Sequence, residues 1–137
     1  MAVLVVTAAQ VLSGANAETV TKITGVAVTA GQALYLVAAT DQWALCDANL
    51  SAAGATFVGI ALNDAAAGQW VTAQKGGTIT LGAGAAPVNG TIYVAAATAG
   101  GIAPAADLAS GWYVSIIGVG DGTGKITLFP RNTGIVI

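Results

Sequence analysis

The sequence predicts an all-β protein: a small antiparallel β-barrel or β-tulip built from two similar hairpin modules, with short helical turns and an extended N-terminal arm. Three observations predict it. Apolar and small polar residues alternate along most of the chain, the period of a strand rather than of a helix. These short runs are separated by Gly, Asn and Asp, the residues that punctuate hairpins. Two segments, "AGQALYLVAAT" from Ala30 and "NGTIYVAAAT" from Asn89, nearly repeat one another.

The elements follow in order. Residues 1–22 are read as an N-terminal arm or strand, carrying the apolar run Ala2, Val3, Leu4, Val5 and Val6, with a brief helical turn expected over 7–12. Residues 23–137 form the barrel domain. Strands are expected over 26–28, 33–37, 43–46, 56–62 and 69–74, with a turn at Gly76-Gly77 and a further strand over 78–81. "DANLSAAG" (47–54) and "PAADLASG" (104–111) each read as one helical turn, opened near an Asp and stopped by Gly. "GVGDGTGK" (118–125) lacks the spacing and the following helix of a phosphate loop, and its Asp-Gly is a hairpin turn signal instead. "KITLF" then reads as strand.

The repeat covers roughly 26–62 and 86–120. Gly31 aligns with Gly90, Leu34-Tyr35-Leu36 with Ile92-Tyr93-Val94, Leu50 with Leu108, and Val58-Gly59-Ile60 with Ile117-Gly118-Val119. An internal duplication of a β-hairpin module accounts for this order. Two such modules would cover each other's apolar faces. Gly59 and Gly118, inside apolar strands, mark a bulge or a close approach of backbone.

Composition closes off several functions. The chain has 137 residues, enough for one domain, and only 7% are charged, against roughly 25% on average. The net charge is −2, and Lys22, Lys75, Lys125 and Arg131 are scattered, so nucleic acid and anionic membrane surfaces are not expected partners. Mean hydropathy is high, at +0.78, yet Gly and Pro break every long uncharged run, so no spanning helix is expected. Three Trp, three Tyr and two Phe are too few for the aromatic girdles of a membrane barrel. The N-terminal stretch lacks the positive start of a signal peptide.

Catalytic groups are scarce. The chain has no His, which removes Ser-His-Asp and Cys-His chemistry. Cys46 stands alone, so neither an intrachain disulfide nor a zinc site is expected, and no metal or other cofactor is implied. Glu18, Asp41, Asp47, Asp64, Asp107 and Asp121 mostly sit at predicted turns, where Asx side chains bond nearby backbone N–H groups. The expectation is a non-enzyme. Nineteen glycines and many alanines bury little area per residue, and the few charges leave a neutral surface. Such surfaces mark contact with partners. Trp43, Trp70 and Trp112 suit a core, an interface or a sugar platform, and Trp70, beside a loop, is the best candidate for exposure.

Residues 23–130 resemble small structural proteins of tailed bacteriophages, the head decoration or cement proteins. The likeness rests on "VTAGQALYL", on "GIALNDAAAGQW" and on "GGIAPAADL". It implies a β-barrel or β-tulip subunit, a homotrimer, bound to the major capsid protein on the virion exterior where capsomers meet. It carries over no catalytic residue, and residues 1–22 are less typical of it. The segment 2–6 either pairs within its own barrel or adds a strand to a neighbour. "TGIVI" (133–137) raises the same question. The alternative is a receptor- or carbohydrate-binding module of a tail or fibre that uses the Trp residues.

Overall fold

Two twelve-residue strands organise the chain, β6 (Trp70–Leu81) and β10 (Lys125–Val136). They run antiparallel side by side where Lys125 faces Thr80 and Leu128 faces Gly77. Before β6 come β1 (Val11–Ser13), β2 (Glu18–Ile23), β3 (Ala33–Val37), β4 (Gln42–Leu45) and β5 (Gly59–Ala61). Between β6 and β10 lie β7 (Ile92–Ala95), β8 (Ile102–Pro104) and β9 (Tyr113–Gly120). The computed structural model describes residues 3–82 and 84–137. Helix is confined there to two 3-10 turns, Ala8–Gln10 and Ala105–Asp107.

The strand order is β4-β3-β5-β6-β10-β9-β7-β8, which reads alike from both ends. Each half is a hairpin, a third strand beside the first strand of that hairpin, and then a long strand. The sheet is antiparallel and strongly curled, a half-barrel whose halves meet along β6 and β10. β2 and β1 pair with the free side of β6, on its first and second half respectively. A parallel bridge between Thr24 and Trp43 brings the end of β2 back to β4.

The register of the two halves matches at one spacing. Leu34 faces Gly59 and Leu45 in the first half, and Tyr93 faces Gly118 and Pro104 in the second. The hydrogen bonds agree: Gly31 N–H donates to the Ala61 carbonyl (2.8 Å), and Gly90 N–H to the Gly120 carbonyl (2.9 Å). Tyr93 therefore stands where Leu34 does. The alignment of Tyr35 with Tyr93 is off by one residue, and one residue in a strand reverses the face. Tyr93 is buried, with its hydroxyl oxygen accepting from Val88 N–H (2.8 Å); Tyr35 is half-buried.

Two cores result. The larger gathers Ile79, Leu81, Tyr93, Ile117, Ile126 and Leu128 with Phe57, Ile60 and Ile102. The smaller, inside the first half, holds Leu34, Trp43, Ala61, Val71 and Ala73. Trp43 spans it, its indole N–H donating to the Val71 carbonyl (3.0 Å). Neighbouring residues of β5 look into different cores, Ile60 into the larger and Ala61 into the smaller. A strand covered on both faces has room for few large side chains, so the Ala-rich composition fits two thin cores rather than one failing core.

Gly59 and Gly118 are sites of close backbone approach. A Cβ on Gly59 would lie 2.9 Å from the Gln74 carbonyl oxygen, and one on Gly118 would overlap the Thr127 carbonyl.

Several predicted elements differ. Gly76-Gly77 is not a turn; β6 runs straight through it. Gly77 has φ +79°, and a Cβ there would sit 2.5 Å from the Asn16 backbone, so the loop between β1 and β2 crosses β6 at this glycine. Residues 26–28 make only a lone bridge from Val28 to Ala65, because the Thr24 hydroxyl bonds the Val26 carbonyl (2.7 Å) and bends the chain. The strand expected over 56–62 is reduced to β5. Residues 47–54 form a loop closed by Asp47 N–H to the Gly54 carbonyl (2.9 Å) and contain no helix.

Candidate functional site

The arm comes first in the chain. Ala2 lies outside the described residues. Leu4 N–H donates to the Ile102 carbonyl on β8 (2.8 Å), and Thr7 N–H to the Leu81 carbonyl on β6 (3.0 Å). Alternation then decides the faces. Leu4 and Val6 pack on the larger core, Val3 is half-buried, and Val5 is 69% exposed. In this structure the arm thus ties β8 to β6 within its own chain.

The end of β10 contrasts with it. Residues 131–137 are all exposed, with Ile135 at 64%, Val136 at 50% and Ile137 at 53%. On one side this stretch pairs with β9, through Arg131 to Ile116 and Asn132 to Ser115. On the other side β6 has already turned away, and no strand replaces it among the described residues. The Asn132 amide fills part of that edge, accepting from Phe57 N–H (2.9 Å) and donating to the Phe57 carbonyl (3.0 Å). Beyond it the register with β9 shifts between Asn132 and Val136, Gly134 takes a positive φ (68°), and the large apolar side chains that follow are left open to solvent.

Trp70 is the third feature. It opens β6 opposite Ile23 of β2 and is 64% exposed. It borders a groove of about 350 Å³ between β2 and the β3–β4 turn. Lys22 reaches across to Asp41, with 2.7 Å between Nζ and Oδ2. Asp41 occupies the left-handed region (φ 54°), held by its N–H bond to the Val37 carbonyl (2.8 Å). Trp43 is buried and Trp112 packs against the larger core, so the three tryptophans do not meet in one platform.

Three more carboxylates hold loops in place. Asp64 accepts from Ala30 N–H (2.8 Å), and Asp47 from Asn49 N–H (3.2 Å). Asp121 accepts from the hydroxyl and the N–H of Thr123 (2.7 and 2.8 Å), and these bonds hold its carboxyl below the usual range. Cys46 is wholly buried; desolvation first, then the neighbouring Asp47 charge, pushes its thiol up to about 12. It is a poor nucleophile there. Among the described residues no three His, Cys, Asp or Glu side chains group as a metal site, and no helix is long and apolar enough to cross a membrane.

The sequence singled out Trp70 and the arm. It did not single out Lys22, Asp41 and Gln42 as neighbours of Trp70, because three separate segments build the groove. No family model matches the chain, and comparison with curated proteins and with solved structures gives no match either.

Proposed function

We propose that this chain is a non-enzymatic structural subunit that binds the outer surface of a phage capsid and stabilises it, as a trimer at capsomer junctions, with the major capsid protein as its partner. One observation carries the reading: the end of β10 and Ile137 beyond it leave Ile135, Val136 and Ile137 exposed beside an edge that pairs with no strand among the described residues. Exposed apolar strands with an open edge are templates for another chain. Strand addition supplies main-chain bonds, and many copies on one lattice add avidity. The scattered, turn-bound acids agree with a role that needs no chemistry.

The test is add-back to undecorated heads. Purified protein should pellet with heads at a saturating copy number and raise the temperature at which they release DNA. Protein that stays in the supernatant at every ratio contradicts the reading. The second reading, a tail or fibre receptor-binding module, is favoured by the exposed Trp70. It predicts an elongated trimer in sedimentation velocity, where the capsid reading predicts a compact particle.

A further inference from the structure

We infer that the groove beside Trp70 is a binding site for a neutral sugar, one or two pyranose rings stacked on the indole. The inference does not rest on the capsid reading.

Its floor and walls come from three segments. Trp70 and Ile23 face each other across the β6–β2 pair and supply the apolar surface. Thr21, two residues along β2, lines the same groove, and its hydroxyl meets that of Thr72 (2.8 Å). Asp41 and Gln42 form the opposite wall, with Lys22 bridging to Asp41. The volume, about 350 Å³, falls at the low end of small-ligand sites, which span roughly 300–1,000 Å³.

The chemistry selects the ligand class. An indole this exposed offers a broad flat face that covers no core. An apolar partner would want more of the same around it, but apart from Ile23 the lining is polar or charged. A phosphate or carboxylate would want uncompensated positive charge, yet Lys22 already neutralises Asp41 at 2.7 Å. The same pair leaves no net negative charge for a cation. A pyranose answers every feature: its C–H face lies on the aromatic ring, and its hydroxyls meet a carboxylate, an ammonium and an amide. Asp41 engages Lys22 through Oδ2 and is 65% exposed, so it can accept from a hydroxyl as well. The left-handed turn at Asp41 holds that wall in place without ligand.

The test is NMR titration of the labelled protein, following the three indole N–H signals. The probes are the methyl glycosides of glucose, galactose, N-acetylglucosamine and rhamnose, and the corresponding disaccharides. The Trp70 signal should move saturably with at least one probe, while the buried Trp43 signal stays fixed as an internal control. Trp70→Ala should weaken that binding about tenfold, the loss of one stacking contact with its buried area. Trp70→Phe should retain part of it, and Asp41→Asn should weaken it by a smaller factor. A Trp70 signal that no glycoside moves at tens of millimolar overturns the inference. So does equal binding by Trp70→Ala, or a response to inorganic phosphate alone.

Discussion

Ala33 and Ile92 hold equivalent places at the start of the two hairpins, two residues after Gly31 and Gly90, yet Ala33 is wholly buried and Ile92 is 41% exposed. The next residues, Leu34 and Tyr93, are both buried, but in different cores. In the first half the strands lie between two cores. Their side chains divide between the cores, Ala33 and Ile60 to the larger and Leu34, Trp43 and Ala61 to the smaller, and β2 and the Thr24–Trp43 bridge close the smaller core from outside. In the second half β7 and β8 are buried on both faces too, from Tyr93 to Ala95 and from Ile102 to Pro104. Only Ile92 at the start of β7 is open, and the β9–β10 pair runs on until Ile135, Val136 and Ile137 are uncovered. One strand path therefore gives a half whose strands end covered and a half whose last strand ends exposed.

Removing what completes the first half should have the largest effect. Trp43→Ala empties the smaller core and breaks the bond to Val71; it should cost about 3–5 kcal/mol in chemical denaturation. Ile102 holds the matching place in the second half, and Ile102→Val, a smaller truncation, should cost about 0.5–1.5 kcal/mol. The double variant should lose the sum of the two, and a loss well away from that sum would mean that the two cores are not distinct.

The alkaline limb probes Cys46, where the larger core meets the first half. Its folded pKa is raised from 9.0 to about 12, so the folded state keeps the proton after the unfolded state has lost it. Stability should be intact below pH 9 and fall as pH rises towards 12, by up to about 4 kcal/mol from this group. Cys46→Ala should lack that part of the decline. Identical alkaline curves for the two proteins would contradict the burial.

Tyr93→Phe should cost about 1 kcal/mol, the net worth of the bond from Val88 N–H, because the ring stays in place. Tyr35→Phe should cost less still, since Tyr35 stands one residue out of register with it. The smallest stability effect belongs to β10: Ile135→Thr with Val136→Thr should change the denaturation midpoint of the isolated chain by no more than about 0.5 kcal/mol. The same pair of substitutions should abolish association with heads.

Alternation and turn residues made much of the fold legible. β3, β4 and the Asp121-Gly122 turn stand where those signals place them, and Gly59 and Gly118 mark close approaches as glycines in strands do. What escaped depends on other segments. Gly76-Gly77 carries the signature of a turn, but its glycine serves a loop crossing over a continuous strand. The strand read over "KITLF" runs on past Pro130, which falls at a register shift within β10, where a missing N–H is tolerated. Matching Tyr with Tyr misplaced the repeat by one residue, because the structure pairs each glycine with a position and not with a residue type. Trp70 was legible as exposed from the loop beside it. Its groove was not, since residues 21–23, 40–42 and 70 meet only through sheet pairing.

The measurement that bears most directly on the structural role is hydrogen–deuterium exchange of the chain, free and on undecorated heads. Saturable binding is expected, with new protection of the amides in 131–137 and the first half unchanged. Failure to bind, or binding that leaves 131–137 exchanging as in the free chain, would contradict it.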